Sequence, residues 1–189
     1  EASVKLPMQC LIVTLAGKLH DDIPEIEFNP KRSIFRIHRD VRFSKNKAPY
    51  KTNIAASFEL RGKKQSFETP GLYVHISPGE IFIGGGMYMP MGDKLKGIRK
   101  SIADKPKEFL AVINDKNFKK RFGGLKGERL VKAPLGFPRD NPMIEHLKHK
   151  QFFVGKEWDD ESLVYSKKFA DTTASLFVET MPLVRWLVK

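Results

Sequence analysis

The stretch from Leu72 to Ile83 leaves a chain the least choice. Leu72, Val74 and Ile76 alternate with Tyr73, His75 and Ser77; Pro78-Gly79 intervenes; then Ile81 and Ile83 alternate with Glu80 and Phe82. Period two is the strand period. Proline presets φ and glycine supplies positive φ, which suits the centre of a type II turn. Pairing Ser77 with Glu80 sets His75 opposite Phe82 and Tyr73 opposite Gly84. One face of the hairpin is then wholly aliphatic, and the other is mixed polar and aromatic. A slip of one residue would turn the aliphatic set into water, so the register is specified. The aliphatic face needs a cover, which calls for helices packed on that side.

The flanking sequence supplies those helices. Val4, Met8, Leu11, Ile12, Leu15 and Leu19 recur at helical spacing, with Pro7 near the start. Most other positions between 4 and 19 are apolar too, so a helix buried all round is expected, with Cys10 as a small buried hydrophobe. Arg32 to Val41 alternates like a strand, with Arg36, His38 and Asp40 on one face and Phe35, Ile37 and Arg39 on the other. Thr52 to Leu60 reads as a second strand and Gln151 to Val154 as a late one. From Asp93 the period turns helical, with Leu95, Ile98 and Ile102, then Phe109, Leu110 and Ile113. A long helix is expected from Ser166, with Pro182 as a kink. The order predicts an α+β fold: one domain over 1–189, a mainly antiparallel sheet, helices on one face and a long C-terminal helix. A chain of 189 residues buries enough surface to need no disulfide or metal.

Charge is concentrated. The net charge is +12, and between Lys31 and Lys51 eight Lys and Arg face one acid, Asp40. Such a run does not neutralise itself and calls for an anionic partner, either a phosphate-bearing ligand or nucleic acid. A single cysteine excludes an intrachain disulfide and a Cys-based zinc site, and fits a reducing, cytoplasmic setting. The longest apolar run, Met8 to Ala16, is well short of the ~20 residues of a membrane span. The chain opens on Glu1 with its first element beginning at once, so further residues are expected upstream.

The run Ser33-Ile-Phe-Arg-Ile-His-Arg-Asp-Val-Arg-Phe-Ser-Lys-Asn-Lys-Ala-Pro-Tyr-Lys-Thr52 resembles the signature of the domain of unknown function 2461 family. Pro70-Gly-Leu-Tyr-Val-His-Ile76, Gly84-Gly-Gly-Met-Tyr-Met-Pro90, Lys132-Ala-Pro-Leu-Gly-Phe137 and the Pro142 to Phe152 stretch resemble it in the same order. The likeness spans nearly the whole chain but lacks the family's usual opening string. It implies kinship and carries no assigned chemistry.

Four constellations are candidates for function. The first is Arg36, Arg39, Arg42, Lys45, Lys47 and Lys51 with Tyr50 between them: guanidinium groups grip phosphate in pairs and aromatic rings stack on bases. Arg39, behind the strand, is the expected structural member. The second is Tyr73 and His75, with His38, as an acid–base set for a hydrolase or transferase acting on a phosphorylated or acidic substrate. The third is Gly84-Gly85-Gly86, whose amides would meet an anion or whose bareness would serve tight packing. The fourth, Glu145-His146-x-x-His149, is disfavoured as a metal site by Lys148 and Lys150. No metal or cofactor is implied. Anion binding on a basic sheet face is the leading expectation, enzymatic chemistry the alternative, and a structural or partner-binding role the third.

Overall fold

The computed structural model describes residues 2–40, 42 and 47–188, with side-chain surroundings from residue 5 onward. Four strands form one antiparallel meander in the order β1 (Ile54–Glu59), β2 (Gly71–Ser77), β3 (Glu80–Met87) and β4 (Phe152–Trp158). The β2–β3 register pairs Ser77 with Glu80, His75 with Phe82 and Tyr73 with Gly84, as the alternation requires. Gly79 turns the corner at φ 71°.

The aliphatic face of this sheet is the core. Ile54, Ala56, Phe58, Leu72, Val74, Ile81, Ile83, Phe152 and Val154 are all buried. Helix α7 (Phe169–Leu187) lies across it, chiefly over β3, and α1 (Ala2–Leu19) packs against α7 and β1. Phe58 meets Phe177 of α7 edge-on at 5.5 Å and Phe28 at 4.8 Å. Burying one such ring is worth roughly 1.5–3 kcal/mol. Helices α2 (Gly92–Asp104), α3 (Pro106–Ile113) and α4 (Lys116–Phe122) extend this layer, and two single turns, α5 (Ile144–Leu147) and α6 (Ser162–Tyr165), flank β4. Buried Arg99 on α2 ties α5 down by donating to the carbonyls of Leu147 (2.8 Å) and His149 (3.1 Å).

Three expectations need correction. Helix α1 is not buried all round: Met8, Ile12, Leu15 and Leu19 face the core, whereas Leu6 and Val13 are exposed. It sits at the outside of the helical layer, so only one stripe finds a partner. Cys10 belongs to the outer stripe and is exposed. Residues 32–40 do not make a regular strand. Ser33 to Phe35 pair with β1 through Phe35 N–H to the Ala55 carbonyl (2.9 Å) and Ser57 N–H to the Ser33 carbonyl (3.0 Å). Further out, Arg39 N–H bonds the Pro49 carbonyl and Lys51 N–H the Ile37 carbonyl. Thus Arg36 alone opposes Thr52, Asn53 and Ile54. These unmatched residues form a wide bulge that breaks the ladder and turns the outer hairpin.

The glycines of β3 permit close approach on both sides. A Cβ on Gly84 would collide with the Val154 carbonyl oxygen and lie 2.6 Å from the Gly155 Cα; one on Gly85 would lie 3.0 Å from Thr180 Cγ2 of α7. Gly84→Ala is therefore expected to destabilise the fold by about 1–3 kcal/mol, read as a lower midpoint in urea unfolding with an unchanged slope.

Candidate functional site

The face of the sheet opposite α7 carries a cavity of about 420 Å³. Its floor follows from the register. One row across the strands reads Glu59, Gly71, Gly86, Phe153; the next reads Ser57, Tyr73, Gly84, Gly155; the third reads Ala55, His75, Phe82, Glu157. Glycines thus occupy the middle of the first row, whereas Tyr73, His75 and Phe82 stand on the central strands in the next two. The Phe82 ring leans over Gly155, where any Cβ would strike it.

The segment 61–70 walls the cavity. The Gln65 amide donates to the Ser33 carbonyl (3.0 Å) and the Ser57 hydroxyl (2.9 Å). Met89 N–H bonds the Phe67 carbonyl (2.8 Å), which places Phe67 over the sheet. The result is a closed circuit of six rings. Phe35 stacks on Phe67 at 5.5 Å with planes 6° apart, Phe67 meets Tyr88 at 6.0 Å, and Tyr88 meets Phe153 at 5.6 Å. Phe153 meets Phe82 at 6.1 Å, Phe82 meets Tyr73 at 6.1 Å, and Tyr73 returns to Phe35 at 6.2 Å. All six line the cavity. Phe67 and Tyr88 are also exposed and stand at its mouth.

The polar lining is acidic. Glu59, Glu80 and Glu157 border the cavity, and among the described residues no Lys or Arg does. Glu59 is half-buried, and burial pushes its carboxyl above the usual range although the Ser57 hydroxyl donates to it at 2.6 Å. Among the described residues no cation lies within 4 Å of Glu59 or Glu80. Glu157 is held by Lys126 at 2.6 Å, and the same ammonium stands 5.8 Å from the centre of the Phe82 ring.

Tyr73 and His75 are brought together as the alternation implies. Burial, with help from Tyr88 and Glu80, pushes the Tyr73 phenol up to about 12, so it stays protonated. Its hydroxyl lies 3.4 Å from His75 Nδ1, His75 Nε2 lies 3.2 Å from the Ser77 hydroxyl, and that hydroxyl donates to the Glu80 carbonyl. One direction satisfies the chain: Tyr73 donates to Nδ1 and Nε2–H donates to Ser77. His38 does not join them. It packs on Tyr50 at 5.0 Å in the outer hairpin and does not line the cavity.

Among the described residues, the signature cations Arg36, Arg39, Arg42, Lys47 and Lys51 lie at that hairpin and do not line the cavity on the sheet face. Arg36, Lys47 and Lys51 are exposed and Arg39 is partly buried. Arg42 is bound to Asp40 through two side-chain bonds of 2.9 and 2.6 Å, which hold that carboxyl low. Lys45 falls outside the described residues. Gly84 and Gly85 serve close packing, Gly84 against β4 and Gly85 against α7. His149 is a buried residue kept neutral, its imidazole pushed down to about 4 by burial first and by Arg129 second. Among the described residues no cluster suited to a metal occurs. No helix among them is long and apolar enough to cross a membrane.

Sequence reasoning missed Glu59, Phe67, Phe82, Tyr88 and Phe153 as site residues. The available signal was the mixed face of the hairpin: large aromatic positions alternating with glycine in adjacent strands mark a face built to leave room.

Glu59→Gln is expected to raise stability at neutral pH. The folded carboxyl titrates above its unfolded value, so the folded state binds more protons in that window and stability falls as pH rises through it. Urea midpoints of wild type and variant should differ at pH 7 and converge in acid, where Glu59 is protonated in both states.

A comparison with curated proteins and one with solved structures return no match. A family model described as "Conserved hypothetical protein (DUF2461)" matches residues 1–186, nearly the whole chain, and the protein belongs to that family.

Proposed function

We propose that the protein binds a cationic organic group in the aromatic cavity. The reading rests on Glu59, a half-buried carboxylate with no ion pair among the described residues. It lies in a cavity that six aromatic rings enclose. A carboxylate in such surroundings is costly unless a positive charge joins it. Ring faces attract cations by their quadrupole, by about 0.5–2 kcal/mol per well-placed ring. Lys126, held between Glu157 and the Phe82 ring, is an internal example of the same recognition. Binding favours ionised Glu59, so affinity falls as pH drops through the raised carboxyl range.

The test compares choline with its uncharged isostere 3,3-dimethyl-1-butanol, following the ring protons of Tyr73 and Tyr88 by NMR. Choline alone should shift them. Phe35→Leu should weaken choline about 2- to 30-fold, and Glu59→Gln by at least as much. Equal binding of the two compounds would remove the reading.

Anion binding by the hairpin is the second reading, favoured by the exposure of Arg36, Lys47 and Lys51 around its two outer rungs. Nucleic acid bound there would lose affinity log-linearly with salt, by ~0.7–0.9 per phosphate contacted, and Arg36→Ala with Lys51→Ala would weaken it. A salt-insensitive complex would exclude it. Acid–base catalysis by His75 draws less support, because Nδ1 already accepts from Tyr73. Among the described residues the cavity lining also has no Lys or Arg to hold a phosphorylated or acidic substrate.

A further inference from the structure

We infer that the ligand is a linear alkyl polyamine, lying along the cavity with one ammonium at Glu59 and another at Glu80. This rests on the cation reading above and adds the ligand's class and orientation. Glu59 lies level with Gly71 and Gly86, whereas Glu80 begins β3, six residues before Gly86. At ~3.3 Å per residue the two levels stand roughly 20 Å apart, a span that two glutamate side chains reaching inward reduce.

Between the two levels, the rows across β2 and β3 carry Tyr73, His75 and Phe82, with Gly84 opposite Tyr73, and these three rings line the cavity. Neither end carboxylate has an ion pair among the described residues, whereas the third, Glu157, already holds Lys126. Glu80, exposed at the start of β3 and paired with Ser77, borders the cavity at the end beyond Tyr73 and His75. The cavity therefore presents charge, apolar wall and charge in sequence. A polyamine presents ammonium, methylenes and ammonium in the same sequence. A compact monocation would fill one end and leave the other carboxylate bare. A four-carbon diamine is too short for both ends, which points to a triamine or tetramine.

Calorimetric titrations at fixed ionic strength with n-butylamine, putrescine, spermidine and spermine provide the test. Spermidine or spermine should bind at least about tenfold more tightly than n-butylamine. Glu80→Gln should lower spermidine affinity about tenfold and leave n-butylamine unchanged, and Glu59→Gln should weaken both. Glu108→Gln, at an exposed position of α3 away from the cavity lining, should change neither. If all amines bind alike, or Glu80→Gln weakens n-butylamine as much as spermidine, the polyamine inference is overturned while the cation reading stands. If Glu108→Gln matters equally, binding is a general surface effect and the inference is again overturned. If no amine binds and choline also fails, both readings fall together.

Discussion

The close approach of α7 and of the neighbouring strand β4 to β3 at Gly84, Gly85 and Gly86 underlies the rest of this structure. On one side, α7 comes near enough to β3 that Thr180 would touch a side chain at Gly85. On the other side, Gly84 and Gly86 let β4 draw in until its backbone would strike any Cβ there. Both consequences reach the cavity. The tight α7 contact fixes the plane of the sheet, and the bare positions Gly71, Gly84 and Gly86 on the opposite face leave space beside the aromatic rings. Three consecutive side chains removed from a central strand weaken it locally. The loss is offset by packing of Phe58, Phe177 and their neighbours on the aliphatic face.

That exchange explains how an unpaired carboxylate is tolerated. Glu59 ends β1, on the row where two glycines separate it from Phe153. The Ser57 hydroxyl and the Gln65 amide reach it in series, from the strand and from the covering segment. These bonds orient the carboxylate without neutralising it, and its titration is displaced upward despite them. A fold selected for stability alone would place a cation or an amide at this position. The same side chain therefore weakens the apo protein and strengthens a cationic complex, a common relation at binding sites.

Much of the framework is legible in the sequence because strong local rules agree. The Leu72–Ile83 hairpin is one such case: alternation, turn chemistry and face segregation specify one register, and that register is observed. Helix α1 shows where local rules stop. The pattern of residues 4–19 identifies a helix, but whether its second apolar stripe is covered depends on how many layers surround it. The same limit applies to Arg32–Val41. Its alternation is strand-like, yet Thr52 and Asn53 interrupt the ladder, and a bulge in one strand is invisible from the pattern of the other. The cavity was hidden for a related reason. Phe35, Phe67, Tyr88 and Phe153 are distant along the chain, and each alone reads as an ordinary core aromatic.

The distribution of charge carries the final step. A chain at +12 repels cations at long range, and that field is screened within a Debye length of ~8–10 Å. Recognition by ring faces operates within about 6 Å of a centroid, inside that length. On the proposed reading, the global charge would govern how fast a cation arrives, and the cavity how long it stays. The segregation is local as well. Arg36 leaves the sheet one residue after Phe35 enters the cavity wall, because successive side chains in an extended chain point to opposite faces. The stretch that supplies the most concentrated positive charge thus also supplies one wall of the acidic cavity. The wide bulge between them keeps the two from neutralising each other.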